Sequence, residues 1–108
     1  MLGSATALRY FIEEVNSPRV RAQLDPANLL AHNTLEEMFA ALAPYIAMLH
    51  AKDRKLHVTR GVAAGEGDVD YARFVSLCRQ HCAHVPLIIE YVNPTTYKAA
   101  LSHLRLHL

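Results

Sequence analysis

The stretch Tyr45-Ile46-Ala47-Met48-Leu49-His50-Ala51-Lys52-Asp53 decides how this chain reads. Its first five residues are an almost unbroken apolar run, as expected for a parallel strand covered on both faces, and the run stops abruptly at His50. Upstream, Thr34 and Glu37 have capping-box spacing, and Leu35, Met38, Phe39 and Leu42 form an apolar stripe that ends before Pro44. A helix therefore leads into the strand. Earlier still, Val20 to Leu24 lies between Pro18 and Pro26 and reads as a short strand that delivers Asp25 and Asn28 into a loop. Thr6 to Val15 places Leu8, Phe11, Ile12 and Val15 at helical spacing, with Asn16-Ser17-Pro18 as the stop.

Downstream, Lys55 to Asp70 holds Gly61, Gly65 and Gly67 and no sustained period, so it reads as a long loop at the same end as His50. Asp68 or Asp70 can cap a third helix whose buried side is Tyr71, Phe74, Val75, Cys78 and Cys82. Pro86 precedes a third strand, Leu87 to Tyr91, and Thr95 or Thr96 opens a last helix with Tyr97, Ala100, Leu101, Leu104 and Leu108 on one face. The predicted class is α/β in the order αβαβαβα, three parallel strands alternating with four helices and joined by right-handed crossovers. Steps of roughly 30 residues fit βαβ units of a barrel or an open sheet. In both architectures ligands collect at the carboxyl ends of the strands, where Asp25, His50 and Glu90 fall.

The 108 residues suffice for one domain, 1–108, with one core. A composition of 52% hydrophobic and 19% charged residues with net charge +1 lacks the basic excess that holds a phosphate backbone, which argues against a nucleic-acid partner. No stretch approaches the roughly 18 apolar residues of a membrane span, and no charged and apolar leader opens the chain, so the expected location is cytoplasmic. Cys78 and Cys82, spaced i, i+4, read as two reduced and packed thiols.

Taken singly, Asp25 before Pro26 reads as a turn or cap residue, His50 as a hydrogen-bonded strand-end histidine, and Glu90 as an edge charge. Taken together, two carboxylates and an imidazole at neighbouring strand ends would suit one divalent cation: Mn²⁺, Mg²⁺ or Co²⁺, with Zn²⁺ also compatible. His103 and His107 share a face of the last helix, but no carboxylate joins them, and they read as a solvated or packing face.

Four segments in order resemble the sugar phosphate isomerase/epimerase group, whose xylose isomerase-like TIM barrel belongs to the endonuclease IV-like superfamily. Leu24-Asp25-Pro26-Ala27-Asn28 is similar to the family's Asp-bearing sixth strand, and His50-Ala51-Lys52-Asp53 to its seventh-strand His-x-Lys-Asp motif. Gly65-Glu66-Gly67-Asp68 resembles the loop that follows, and Leu87-Ile88-Ile89-Glu90-Tyr91 the eighth strand with its acidic ligand. The resemblance implies a partial (β/α)8 barrel, since a complete one needs roughly 250 residues.

It further implies that Asp25, His50 and Glu90 bind the metal, and that Glu90 is one of two glutamates moving a proton beside a carbonyl through a cis-enediolate. The second glutamate belongs to a fifth strand, and the segment before Asn16 reads as a helix instead. Asn28 and Asp53 are candidates to orient ligands, Lys52, Arg54 and Arg60 to meet the hydroxyls or phosphate of a sugar substrate, and Glu66 with its flanking glycines to shape the loop. An inosose or dehydroshikimate dehydratase would use the same enolate. Endonuclease activity is disfavoured, because Val58-Thr59-Arg60-Gly61-Val62 lacks the extra Asp and His of a multi-zinc cluster. Three strands of a barrel leave two unpaired edges and an uncovered inner face, so the remaining alternative is a non-catalytic segment. Such a segment is expected to fold as a homo-oligomer or against a missing N-terminal half.

Overall fold

The computed structural model describes residues 3–108. The first helix, α1 (Ala5–Val15), begins where the Ser4 hydroxyl accepts the Ala7 N–H at 3.0 Å. It ends at Asn16, whose left-handed backbone (φ 46°) lets its N–H reach the Ile12 carbonyl. Strand β1 (Ala22–Leu24) follows, and Asp25 caps a four-residue helix, α2 (Pro26–Leu29), with proline in its first turn. This helix stands where the sequence suggested a loop. A carboxylate accepting two backbone amides, followed by a proline with pre-set φ, is sufficient to start a helical turn.

Helix α3 (Leu35–Leu42) has the predicted capping box of Thr34 and Glu37, and the 3₁₀ turn Ala43–Tyr45 hands the chain to β2 (Ile46–Asp53). The strand β3 (Val62–Ala63) lies inside the segment expected to be an irregular loop, and it pairs antiparallel with Lys52 and Asp53. Of the two predicted caps for α4 (Tyr71–Cys82), Asp70 serves, accepting the Arg73 N–H. Asp68 instead accepts the Leu56 N–H at 2.7 Å and braces the loop. Strand β4 (Leu87–Ile89) and helix α5 (Tyr97–Arg105) complete the described chain.

The sheet is open, with β2 in the centre and β1 and β4 parallel to it on either side. The register sets Leu24 beside Leu49, and His50 beside Ile88. The α/β order αβαβαβα is therefore present, with α2 and β3 added. Phe39, Met38, Leu42, Phe74 and Val75 of α3 and α4 pack with Leu24 and Leu49 in a core where each is at most 2% exposed. The Phe39 and Phe74 rings lie 5.8 Å apart in a tilted pair, a favourable aromatic geometry. His103 of α5 lies edge-on to Tyr71 and to His107, which follows the end of the helix, so the pair contributes to packing.

Cys78 and Cys82 are free thiols on the inner side of α4. Burial, and then the neighbouring Cys82, push the Cys78 thiol up from its ordinary 9.0 to about 12. Above pH 9 the unfolded chain releases this proton while the folded chain keeps it, so stability falls as pH rises through that window. The slope is about 1 kcal/mol per pH unit for one thiol. Urea unfolding in reducing buffer should show a midpoint that drops between pH 9 and 10.5, and a Cys78→Ser variant should show a shallower drop.

Candidate metal centre

Side chains alternate faces along a strand with period two, and the period continues into extended residues beyond it. On β1 this places Gln23 and Asp25 on one face, because Asp25 is still extended (φ −124°, ψ 109°). On β2 the same face carries Met48, His50 and Lys52. On β4 it carries Ile88 and then Glu90, whose N–H continues the ladder by donating to the Ala51 carbonyl at 3.0 Å. The opposite face of β2, with Leu49, Ala51 and Asp53, is buried. Strand period and register alone thus bring Asp25, His50, Lys52 and Glu90 together at the carboxyl end of the sheet.

Asp25, His50 and Glu90 each offer a ligand atom within 4.8 Å of the others. The two Asp25 oxygens are used differently. Oδ1 accepts the N–H groups of Ala27 (3.0 Å) and Asn28 (3.4 Å), which fixes the carboxylate plane and leaves Oδ2 directed to the site. There the Lys52 ammonium sits 3.0 Å from Oδ2 and 3.8 Å from Glu90 Oε2. His50 Nδ1 is 3.0 Å from Glu90 Oε1 and also 3.0 Å from Gln23 Nε2.

Asp25 is only 3% exposed. Burial raises its carboxyl above the usual carboxylate range, and the adjacent Lys52 ammonium, with the two amides, recovers only part of the shift. A second carboxylate 3.8 Å beyond the same ammonium leaves two negative groups sharing one positive one. The cluster is short of positive charge.

Asn28, by contrast, lies exposed on α2 and reaches the cluster only through its backbone. Arg60 is exposed in the loop before β3. Asp53 points to the other face, fully buried, where its carboxylate accepts N–H groups from Arg54 (2.9 Å), Gly65 (3.1 Å) and Val69 (2.9 Å). It anchors the Gly65-Glu66-Gly67 loop. A Cβ at Gly67 would run into Asp53 Oδ1 and the Arg54 backbone, and Gly65 has φ 95°, so the loop needs both glycines.

Three supporting residues were not singled out by sequence reasoning. Gln23 could have been found by stepping back two residues from Asp25. Tyr71 donates its hydroxyl to the Lys52 carbonyl, and burial, followed by the charges of Asp53 and Asp25, holds its phenol well above the usual range. Tyr91, in a left-handed conformation (φ 58°), lays its ring beside the Lys52 ammonium (5.4 Å from the centroid) and over Gly61, where no Cβ would fit without a shift. A tyrosine held at positive φ directly after a candidate ligand is a costly local arrangement.

The sequence profile of a family described as xylose isomerase-like TIM barrel matches residues 1–107. The chain belongs to that family. Among solved structures, a xylose isomerase domain protein from Planctomyces limnophilus superposes with a TM-score of 0.78 at 29% identity, over 97% of this chain and 42% of the other. The probable 3-DHS dehydratase AsbF from Bacillus anthracis, involved in petrobactin synthesis, superposes with a TM-score of 0.72 at 17% identity, over 96% and 44% respectively, and shares the fold. The chain spans less than half the length of either structure. No curated protein matches.

Divalent metals are commonly bound in this superfamily. The donor set fits such an ion: an oxygen-rich trio with one imidazole, one buried oxygen directed at the site, and an ammonium already drawn between the two carboxylates. No helix among the described residues is long and apolar enough to cross a membrane.

Proposed function

We propose that this chain forms the cation-binding rim of a divalent-metal-dependent sugar or sugar-phosphate isomerase or epimerase. The observation that carries the reading is the convergence of Asp25 just past β1, His50 within β2, which runs on past it to Asp53, and Glu90 just past β4, their ligand atoms within 4.8 Å of one another. Asp25 Oδ2, His50 and Glu90 would hold Mn²⁺, Mg²⁺ or Co²⁺. Such an ion, when bound, polarises a substrate carbonyl and lowers the cost of charge on its oxygen.

The chain's own residues supply the rest. Glu90, the most solvent-accessible of the three, with a third of its side chain exposed, is the group placed to take the proton from the carbon beside the carbonyl. The C–H electron pair moves to form the C=C bond of a cis-enediolate and the carbonyl pair moves to oxygen; protonation of the neighbouring carbon, with the hydroxyl proton passing from one enediolate oxygen to the other, gives the isomer, and protonation of the original carbon on its opposite face gives the epimer. Proton transfer of this kind contributes about 10²- to 10⁴-fold. His50, 3.0 Å from Glu90 Oε1, orients that carboxylate.

The second proton-transferring group would come from the strands that complete the barrel. The open face carrying Gln23, Met48, His50, Lys52 and Ile88 would pack against those strands, contributed by another copy of the chain or by the remainder of the barrel. In an assembly containing this chain and those strands, aldose–ketose interconversion or epimerisation should require Mn²⁺ and fall at least about 100-fold in a Glu90→Gln variant. Retained activity in that variant would remove Glu90 from the mechanism. Light scattering on the isolated chain should give a mass above that of the monomer, and a strictly monomeric species with cooperative unfolding would contradict the proposed assembly.

A further inference from the structure

We infer that Lys52 is a built-in counter-cation, which holds the Asp25–Glu90 carboxylates in place without metal and which a divalent cation must displace in order to bind. The inference rests on the metal reading above and adds an energetic coupling to it. Nζ of Lys52 is 3.0 Å from Asp25 Oδ2 and 3.8 Å from Glu90 Oε2, and both acceptors belong to the trio whose ligand atoms converge. A metal taking Asp25 Oδ2 and a Glu90 oxygen as ligands competes for the charge that the ammonium now neutralises.

The surroundings make this competition strong. Asp25 is buried and Lys52 largely so, with 14% of its side chain exposed, so their attraction is only weakly screened. The backbone of Lys52 is fixed by the Tyr71 hydroxyl on its carbonyl and by pairing of β2 with β3, while its side chain can pivot. The ring of Tyr91, held over Gly61 with its centroid 5.4 Å from Nζ, already makes a cation–π contact with the ammonium, one that need not be lost when Nζ leaves Asp25 Oδ2. Lys52 in this role is a positioning residue: it keeps two carboxylates from repelling each other apart before the metal arrives.

The test is calorimetric titration of the 108-residue chain with MnCl₂, comparing the unmodified protein with Lys52→Met, and with Lys55→Met as a control for the loss of one exposed positive charge. Lys52→Met should bind Mn²⁺ at least about tenfold more tightly, with Lys55→Met unchanged. Urea midpoints give a second readout. Without metal Lys52→Met should unfold at lower urea than the unmodified chain, and saturating Mn²⁺ should close that gap. If Lys52→Met fails to fold without metal, Lys52→Gln replaces it in the titration, since it removes the charge and keeps a donor for Asp25. Equal or weaker Mn²⁺ binding in the Lys52 variants, alongside clear binding by the unmodified chain, overturns the inference and leaves the metal site standing. No Mn²⁺ binding by any of the proteins overturns both.

Discussion

Asp53→Ala is expected to lower the unfolding free energy by about 3 to 5 kcal/mol, the largest stability effect of any single substitution at the carboxyl end of the sheet. The carboxylate is fully buried and accepts three backbone N–H groups, from Arg54, Gly65 and Val69. Truncation removes the acceptor of all three donors, of which the Val69 N–H is buried, at roughly 1 to 3 kcal/mol before relaxation, and the Arg54 and Gly65 N–H groups are half-buried and lose less. It also removes the post around which residues 63–69 turn, because Gly67 packs directly on Oδ1. Asp53→Asn should lose less: one oxygen can still serve Arg54 and Val69, while its amide group faces the Gly65 N–H. Urea denaturation of the three proteins measures the series. A loss below about 1 kcal/mol for Asp53→Ala would mean that solvent reaches the loop.

The second large effect concerns binding. Asp25→Asn should lower Mn²⁺ affinity by at least about 100-fold, since even residues that only support a metal ligand typically cost 10- to 100-fold when changed. The substitution separates the two functions of the side chain. Oδ1 caps α2 through the amides of Ala27 and Asn28, a job asparagine also performs, whereas Oδ2 supplies the charge facing Lys52. The folded state should therefore persist, as circular dichroism would report, while metal binding fails. Asp25→Ala should lose the cap as well, at roughly 1 kcal/mol. Undiminished affinity in Asp25→Asn would exclude Asp25 as a ligand.

Much of this was legible in the sequence, and the limits have physical causes. The apolar run into His50 fixed β2, and the Thr34 and Glu37 pair fixed the start of α3, because both signals are local. The two-residue β3 was not legible: Val62–Ala63 has no period to read, and the strand exists only because the end of β2 offers it a partner. Helix α2 was masked by Pro26, which breaks helices in their interior but begins them well. The convergence of Asp25, His50 and Glu90 followed from strand ends and family motifs. The placement of the Lys52 ammonium against Asp25 depends on the register between β1 and β2, which no local pattern specifies. Asp53 reads as a ligand-orienting candidate from its place in the His50-Ala51-Lys52-Asp53 motif. Adjacency along a strand puts Lys52 and Asp53 on opposite faces, and the buried face claimed Asp53 for the loop.

That opposition makes β2 a two-sided template. A single-residue insertion between Leu49 and His50 would turn Lys52 toward the helices and Asp53 toward the open face, dismantling the cation cluster and the glycine loop in one event. Any one-residue change of length between the paired part of β2 and His50 therefore acts on both sites at once. Sequence drift can alter the rim around them, in Asn28, Arg60 or the exposed turn between β2 and β3, without disturbing either side.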